Sequence, residues 1–345
     1  MKRLHRTRAR RVPRLAVAAV ALLAALVLSA CGDSGPVVNV YSARSHYGTE
    51  EVFTRFTEET GIKVEILGGD PAGLVDRIAS EGERTRADLL ITTDAGYLWR
   101  AADLDLLAPV DDPELRNAVP AGLRDPQGRW YAISQRARTV MRSTERVPEA
   151  DAPTTYAELG DPRWKGRLCL RTSNNSYNQS LVASLIAERG EQATRRILTS
   201  WMANDPTIFG NDTEVLEAIA AGRCDIGLTN TYYLGNKLKD DPGFPVSPVW
   251  VEQQGAGTHV NISGVALTAH AGHPDEAKRL MRYLLTPEAQ NLIAEGNSEF
   301  PVLAGVPIAE WIRGWGPFKA DESAVTKIGP NQPAAVRLMN EVGWE

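Results

Sequence analysis

The chain has 345 residues, with 38 basic and 43 acidic side chains, and a net charge of −5 at pH 7. Seven of the basic residues and no acidic one lie before residue 15, so the chain after residue 30 carries 31 basic against 43 acidic residues, a net charge of −12. This acidity argues against a nucleic-acid-binding protein and against a basic patch for anionic membranes.

Residues 1–30 have the pattern of a secretory signal peptide. Basic residues up to Arg14 precede an apolar run over 15–28, and small residues follow it. The run ends in a lipobox-like string, LSAC, so Cys31 is the predicted lipidation site and would anchor an extracytoplasmic protein to the cell membrane. A transmembrane anchor is the alternative, but the run is shorter than the roughly 20 residues that a span needs.

After a short polar tether over residues 31–36, strand-like and helix-like segments alternate along the chain. This alternation predicts an α/β protein with a largely parallel sheet. Strands are predicted over 37–41, 63–67, 87–92, 130–134, 136–141, 169–171, 224–228 and 261–268. Helices are predicted near residue 49, over 74–78, 178–189, 191–202 and 214–221, and from 273 and 286.

Roughly 310 residues remain after the leader, which is more than one ordinary domain. We therefore expect two lobes, with residues 37–135 and 256–303 in the first and 136–255 and 304–345 in the second. The long run over 130–141 is a candidate crossover between them. Two lobes joined in this way bind a ligand in the cleft and close on it by a hinge motion.

Two cysteines remain after Cys31. Cys169 and Cys224 each follow a Gly-Arg step and open an apolar run. An exported protein meets an oxidising compartment, and neighbouring strands would bring the two residues within disulfide distance. A Cys169–Cys224 disulfide is therefore possible, and two buried structural thiols are the alternative.

Four of the nine tyrosines lie where predicted strands end. In open α/β sheets the ligand lies beyond the carboxyl ends of the strands, so these residues mark a candidate site. Phenol oxygens are hard donors with an ordinary pKa of about 10, and a strongly Lewis-acidic cation can displace their proton. Ordinary packing of cleft aromatics is the alternative. The four residues are Tyr47, Tyr177, Tyr232 and Tyr233.

Hard anionic oxygens suit Fe³⁺ better than Zn²⁺. Four phenolates on Fe³⁺ leave a charge of −1, which arginines could balance directly or by holding an added anion such as carbonate. His46 is either a ligand, a donor behind the ligands or a satisfied surface histidine. A solvated strand edge is the alternative for Arg136 and Arg138. The candidate arginines are Arg44, Arg136, Arg138 and Arg142.

Four strings of the sequence together resemble one known family. They are YSARSHY at 41–47, WYAISQRAR at 130–138, SNNSYNQSL at 173–181 and NTYY at 230–233. The resemblance is to the bacterial ferric-ion-binding proteins of ABC importers, in their tyrosine-rich branch, and it spans most of residues 37–303. Two positions depart from the family pattern: Arg142 stands where members often have tyrosine, and Ser45 is inserted before His46.

The resemblance implies a two-lobe, class II periplasmic-binding-protein fold with a hinge and a central cleft. It implies Fe³⁺ as the transported ligand of Tyr47, Tyr177, Tyr232 and Tyr233, with His46 a ligand in some members. It implies that the Arg-Ala-Arg segment contacts the phenolates or a synergistic anion. We also expect a monomeric receptor that delivers its ligand to a membrane permease of the ABC type.

Two other functions remain open from the sequence. A receptor of the same fold could bind a polyamine, a sugar or an oxyanion. An extracytoplasmic enzyme is the second alternative, and its one motif is the protease-like string GDSG at 32–35. This string lies in the tether without a partner histidine or an oxyanion hole, so we expect no enzyme.

Overall fold

The computed structural model describes residues 35–44 and 51–345, and residues Val37–Glu345 form one compact unit. Ten strands lie in the described residues: β1 (Val37–Ser42), β2 (Lys63–Gly68), β3 (Leu89–Thr92), β4 (Tyr131–Ser143), β5 (Leu168–Arg171), β6 (Thr207–Phe209), β7 (Ile226–Asn230), β8 (Val246–Val249), β9 (Thr258–Leu267) and β10 (Ala320–Asp321). The predicted leader, the lipidation site Cys31 and the segment with Ser45, His46 and Tyr47 lie outside the described residues.

Eleven α-helices accompany these strands in the described part of the chain. They are α1 (Glu51–Thr60), α2 (Pro71–Glu81), α3 (Ala95–Asp103), α4 (Pro113–Ala118), α5 (Ser176–Arg189), α6 (Glu191–Ala203), α7 (Asp212–Ala220), α8 (Thr231–Asp240), α9 (Pro274–Tyr283), α10 (Pro287–Asn297) and α11 (Ile328–Glu341). Short 3-10 turns occur at Gly82–Arg84, Ala121–Leu123, Glu149–Asp151, Ala157–Gly160, Pro162–Trp164, Glu310–Trp315 and Glu322–Lys327.

The strands join in the order β2-β1-β3-β9-β4-β7-β5-β6, with β10 beside β9 and β8 beside β4. Four pairs are parallel: β1–β2, β1–β3, β5–β6 and β5–β7. Three pairs at the centre are antiparallel: β3–β9, β9–β4 and β4–β7. The prediction of a largely parallel sheet is therefore right for the two ends and wrong for the centre. The difference arises because β9 returns along the sheet and is inserted between β3 and β4.

Strand β4 belongs to both parts of the sheet. Its first residues, up to Ala137, pair with β9, and its last residues, from Arg138, pair with β7 and β8. The two strands predicted over 130–141 are thus one strand, with a register shift between Ala132 and Ser134. It contains almost all of the run over 130–141 that the sequence suggested as a crossover between the two lobes. The lobe boundaries, residues 37–135 with 256–303 and 136–255 with 304–345, stay a prediction.

Side-chain caps set the places where several helices begin. Asp70, Asp94, Asn175 and Asn211 each accept a hydrogen bond from a backbone N–H in the first turn of α2, α3, α5 and α7. Such caps satisfy amide groups that have no partner within the helix. As a result, the helices begin a few residues beyond strand ends, where the candidate site residues also lie.

Two apolar clusters fill the interior. The larger cluster includes strand residues from both ends of the sheet, such as Val40 and Ile226, and residues of α11 such as Leu338. The smaller cluster surrounds Cys169 and Cys224, whose sulfurs are joined as a disulfide with a Cα–Cα distance of 5.9 Å. That distance lies within the ordinary range for a disulfide.

The last helix, α11, packs against α3 and α5. Beyond it, the buried Trp344 places its indole Nε1 2.9 Å from the backbone oxygen of Arg171 at the end of β5. The C-terminal segment therefore supports the strand end that leads to Tyr177. Within residues 35–44 and 51–345, no helix has both the length and the apolar character required to cross a membrane.

Candidate functional site

Tyr177, Tyr232 and Tyr233 lie at the ends of two adjacent parallel strands. Tyr177 is in the first turn of α5, where its N–H donates to the capping Asn175 side chain at 2.9 Å. Tyr232 and Tyr233 follow β7 without a loop and belong to the first turn of α8. Because β5 and β7 are paired, three of the four predicted tyrosines come together at one edge of the sheet.

The three phenols interact directly. The rings of Tyr232 and Tyr233 have centroids 4.4 Å apart and planes inclined by 32°. Tyr177 shares a side-chain hydrogen bond with Tyr232 and lies close enough to Tyr233 for an electrostatic interaction. Tyr232 is buried, whereas Tyr177 and Tyr233 are half-buried. Two of the three tyrosines are therefore partly accessible to solvent.

A cavity of about 570 Å³ lies in front of Tyr177. Its walls come from the segments after β1, β2 and β3 and from the start of α5. Ala43, just after β1, is one of its lining residues. The lining residues are Ala43, Gly68, Gly69, Asp70, Pro71, Thr93, Asn175, Ser176 and Tyr177.

Burial controls the charge state of Tyr177. Desolvation raises the pKa of its phenol to about 12, and the neighbouring Tyr233 adds to the rise, whereas Arg136 and the hydrogen bond with Tyr232 oppose it. Tyr177 is therefore a neutral phenol at pH 7 in the metal-free protein. A cation that coordinates this oxygen must displace its proton.

Among the predicted arginines, Arg136 lies beside Tyr177 and has a guanidinium nitrogen without a hydrogen-bond partner in the described residues. Its side chain is 2% exposed, and its Nη2 donates to the backbone oxygen of Thr93. Its Nη1 is buried without a hydrogen-bond partner in the described part of the chain. The guanidinium carbon lies 5.7 Å from the ring centroid of Tyr177.

Arg138 and Arg44 are already paired with acids. Arg138 donates to Asp212 at 2.8 Å, and Arg44 donates to Glu299 at 3.0 Å. Both arginines are 2% exposed, as is Arg136. The solvated strand edge considered for Arg136 and Arg138 is therefore wrong, since β4 is covered along both of these positions.

Arg142 is not brought to the tyrosines. It pairs with Ile226 at the start of β7, whereas Arg138 pairs with Asn230 at the end that leads to Tyr232. Along β4 the two arginines are four positions apart, a distance of about 13 Å. Arg142 instead donates to the backbone oxygen of Val147 at 2.8 Å.

His259 is a buried residue that the sequence analysis missed. Burial, with added repulsion from Arg136 and Arg138, lowers its pKa to about 3, so its imidazole is neutral at pH 7. It lies with Tyr177, Arg136 and Arg138 around a narrow gap that has no room for a water molecule. Its position inside the alternating run of β9 gave no signal, because such a run indicates a strand without indicating what its polar member faces.

Arg171, Asp212 and Asp94 were also missed. Arg171 ends β5, and its guanidinium carbon lies 5.4 Å from the ring centroid of Tyr177. Asp212 is fully buried in the first turn of α7, and Asp94 accepts from Ser180 at 2.5 Å and from Asn261 at 2.8 Å. One feature of the sequence could have indicated that Arg171 lies at the site. It stands six residues before Tyr177, at the end of the same strand.

Within the part of the chain that the structure describes, no group of three or more His, Cys, Asp or Glu side chains is arranged to hold a metal ion. The donors that converge are phenol oxygens, beside a guanidinium.

The family model of the bacterial extracellular solute-binding proteins matches residues 85–313. The chain belongs to this family.

Individual relatives point to one branch of it. Iron uptake protein A1 of Synechocystis sp. is 40% identical over 340 residues, which cover 92% of this chain and 93% of that protein. The Fe(3+)-binding periplasmic protein of Serratia marcescens is 28% identical over 334 residues, covering 94% and 96% of the two chains. By their names these relatives are iron-uptake or iron-binding proteins rather than enzymes.

Solved structures agree with this relationship. Trichodesmium IdiA (FutA), in complex with iron and citrate ligands, is 40% identical, with a TM-score of 0.85, and covers 90% of this chain and 100% of its own. The ferric binding protein from Campylobacter jejuni is 32% identical, with a TM-score of 0.83 and coverage of 89% and 100%. The predicted periplasmic-binding-protein fold and the resemblance to ferric-binding proteins are confirmed.

Proposed function

We propose that the protein is an extracytoplasmic receptor that binds Fe³⁺ through tyrosine phenolates and delivers it to an ABC permease. The observation that supports this function most directly is the convergence of Tyr177, Tyr232 and Tyr233 at the ends of β5 and β7. Tyr47 supplies the fourth phenolate from the segment after β1, and His46 beside it is either a fifth ligand or a donor behind the ligands. The relatives named for iron uptake and ferric binding support the same cargo.

The chemistry of the cluster suits a hard trivalent cation. Phenolate is a hard oxygen donor, and a strongly polarising cation makes loss of the phenol proton favourable at neutral pH. Four phenolates on Fe³⁺ carry a net charge of −1. Arg136, with a buried unpaired nitrogen near Tyr177, provides positive charge or holds an added anion such as carbonate.

We propose that capture precedes closure, because three of the four proposed phenolate donors already lie together. The second-lobe tyrosines bind the ion first, because they are already together at one sheet edge. A hinge motion then brings Tyr47 and His46 onto the ion. Opening of the lobes, reduction to Fe²⁺ or protonation of the phenolates would release it, since each weakens coordination by hard oxygen.

Iron loading of phenylalanine variants tests this function. Ferric phenolate absorbs visible light, so the loaded wild type should be coloured, and Tyr177→Phe and the pair Tyr232→Phe/Tyr233→Phe should lose colour and affinity. Tyr97→Phe is the matched control, because Tyr97 lies in α3 rather than in the cluster. A colourless loaded wild type, or a double variant that binds iron as tightly as wild type, would contradict the proposal.

The same purified protein distinguishes the other ligands. A polyamine, a sugar or an oxyanion should leave the melting temperature unchanged, whereas Fe³⁺ should raise it, because a ligand stabilises the folded state that binds it. A rise with one of those solutes and none with Fe³⁺ would replace the iron assignment.

The proposed anchor is a lipid on Cys31. In the producing cells, Cys31→Ser should move the protein from the membrane fraction to the soluble fraction without changing its iron affinity. A variant that stays with the membrane would contradict lipidation at this residue. We propose a monomer, which the mass of the iron-loaded protein in solution tests.

A further inference from the structure

We infer that Arg171 is a second-lobe counter-charge for the tyrosine site and that its guanidinium stabilises the phenolate of Tyr177 when the cation is bound. The inference rests on the proposed binding of Fe³⁺ by phenolates and adds a residue to that site. Three observations carry it: the position of Arg171 over the ring, the donors of its guanidinium that lack an acceptor in the described residues, and the contacts that hold its backbone beside Tyr177.

Two guanidinium groups approach the ring of Tyr177. Their central carbons lie 5.4 Å from the ring centroid for Arg171 and 5.7 Å for Arg136. A cation at this distance from an aromatic ring is attracted by the negative charge of the ring face. The attraction grows when the phenol becomes a phenolate, because a full negative charge then faces a partly buried cation. The arrangement therefore favours the metal-bound form of Tyr177.

The hydrogen bonds of Arg171 are incomplete. Its Nε and Nη1 are buried without a hydrogen-bond partner in the described residues. Asp212 lies 3.8 Å from Nη1, an ion-pair distance that is too long for a hydrogen bond. The Asp212 carboxylate already accepts from Arg138 at 2.8 Å and from the N–H of Asn230 at 2.9 Å. Arg171 thus has buried donor capacity that the described residues do not use, which is costly unless a negative group is added.

The backbone of Arg171 is held in place from three sides. It pairs with Phe209 of β6, and its carbonyl oxygen accepts from Asn178 at 3.0 Å and from the indole of Trp344 at 2.9 Å. Asn178 follows Tyr177 directly in α5. The same contacts therefore fix the backbone of the strand end that carries Arg171 relative to the helix start that carries Tyr177.

Charge variants of Arg171 in the full-length protein test the inference with Fe³⁺ alone as the probe. Arg171→Gln should lower Fe³⁺ affinity at least tenfold. It should also shift the phenolate-to-iron absorption band to longer wavelength, because a phenolate that loses a nearby cation gives up its electron more easily. Arg171→Lys should recover part of the affinity and part of the band position, since lysine restores the positive charge without the planar guanidinium group.

Arg163→Gln is the matched control. Arg163 also lies over an aromatic ring, 4.7 Å from the centroid of Trp164, but it is exposed and outside the tyrosine cluster. This variant should match wild type in affinity and in band position. If Arg171→Gln does not fold, Arg171→Met takes its place, because it removes the charge without leaving a buried polar group.

The outcomes separate this inference from the proposed function. An Arg171→Gln or Arg171→Met variant with wild-type affinity and an unshifted band would overturn the role of Arg171, even if the variants of Tyr177 and of Tyr232 with Tyr233 lose iron. If those tyrosine variants keep iron, the phenolate site itself fails. Loss of affinity in Arg171→Lys equal to that in Arg171→Gln would also overturn a role that depends on charge.

Discussion

Arg138 and Asp212 form a buried ion pair beneath the tyrosine cluster, with Nη1 2.8 Å from Oδ2 and side chains 2% and 0% exposed. Asp212 also accepts from the backbone N–H of Asn230, the residue that precedes α8. Arg138 donates in addition to the side chains of Asn178 and Asn230, at 2.9 and 3.2 Å. The pair therefore ties β4 to the starts of α5, α7 and α8, the last of which carries Tyr232.

Removing one partner of this pair should be costly. We expect Asp212→Ala to lower the free energy of unfolding by about 3–5 kcal/mol, because it leaves the Arg138 charge buried without compensation. Urea denaturation at pH 7 measures the change. Asp76→Ala is the control: Asp76 is an exposed partner of Arg100, and its loss should cost no more than about 1 kcal/mol. Equal losses in the two variants would contradict a structural role for the buried pair.

The sequence predicted the tyrosine cluster because strand exits can be recognised locally. An apolar run followed by polar residues marks the end of a strand, and parallel neighbours bring such ends to one edge. The prediction required that the strands of Cys169 and Cys224 be adjacent, and β5 and β7 are adjacent and parallel. Tyr232 lies in the first turn of α8, since the helix starts directly at Thr231 after the end of β7.

The charged surroundings of the cluster could not be predicted from the sequence in the same way. Asp212 follows Asn211, so it was indistinguishable from the acids that favour the first turn of any helix. Its partner Arg138 is 74 residues away, and their contact depends on how β4 is packed against α7. Arg171 interacts with an aromatic face and not with a fixed acceptor, which leaves no pattern in the sequence. Three of the four candidate arginines lie in β4, and one of these three, Arg142, proved to be at its far end.

Iron affinity should fall as the pH falls. Burial raises the pKa of Tyr177 to about 12, so this residue must release a proton when it binds iron at neutral pH. Each proton released lowers the apparent affinity about tenfold per pH unit of acidification. Competition with a chelator at pH 7.5 and 5.5, corrected for protonation of the chelator, should show at least about a hundredfold loss for wild type.

Tyr177→Phe provides the control for this pH dependence. This variant releases one proton fewer when it binds iron. For each pH unit of acidification, the factor by which its affinity falls should therefore be about ten times smaller than the factor for wild type. An affinity that is flat between pH 7.5 and 5.5 in wild type would count against phenolate ligation. An unchanged slope in the variant would count against Tyr177 as one of the ligands.

His259 should make the fold sensitive to acid. Its pKa is lowered from 6.5 to about 3 by burial and by Arg136 and Arg138, so below pH 6.5 the unfolded chain takes up a proton that the folded chain does not. This contribution to stability is complete above pH 6.5 and is lost as the pH falls towards 3. Between pH 7.5 and 4.5 it should remove about 2–3 kcal/mol.

Comparison with His259→Gln isolates that contribution. Urea denaturation at the two pH values should show a smaller acid-induced loss in this variant than in wild type. The exposed His270 supplies the control, and His270→Gln should lose as much stability as wild type. If His259→Gln and wild type lose the same amount, the imidazole is not buried in its neutral form.

The disulfide between Cys169 and Cys224 should stabilise the fold by closing a long loop. The two residues are 55 positions apart, and cross-linking a loop of this length raises the free energy of the unfolded state by about 4 kcal/mol through lost chain entropy. Reduction of the intact protein, followed by urea denaturation, should show a loss of this size. Mass measurement after alkylation, with the leader removed, should find neither of these cysteines labelled under denaturing conditions and both labelled after reduction. Labelling of both without reductant would show that they are two buried thiols, the alternative that their apolar surroundings also allow.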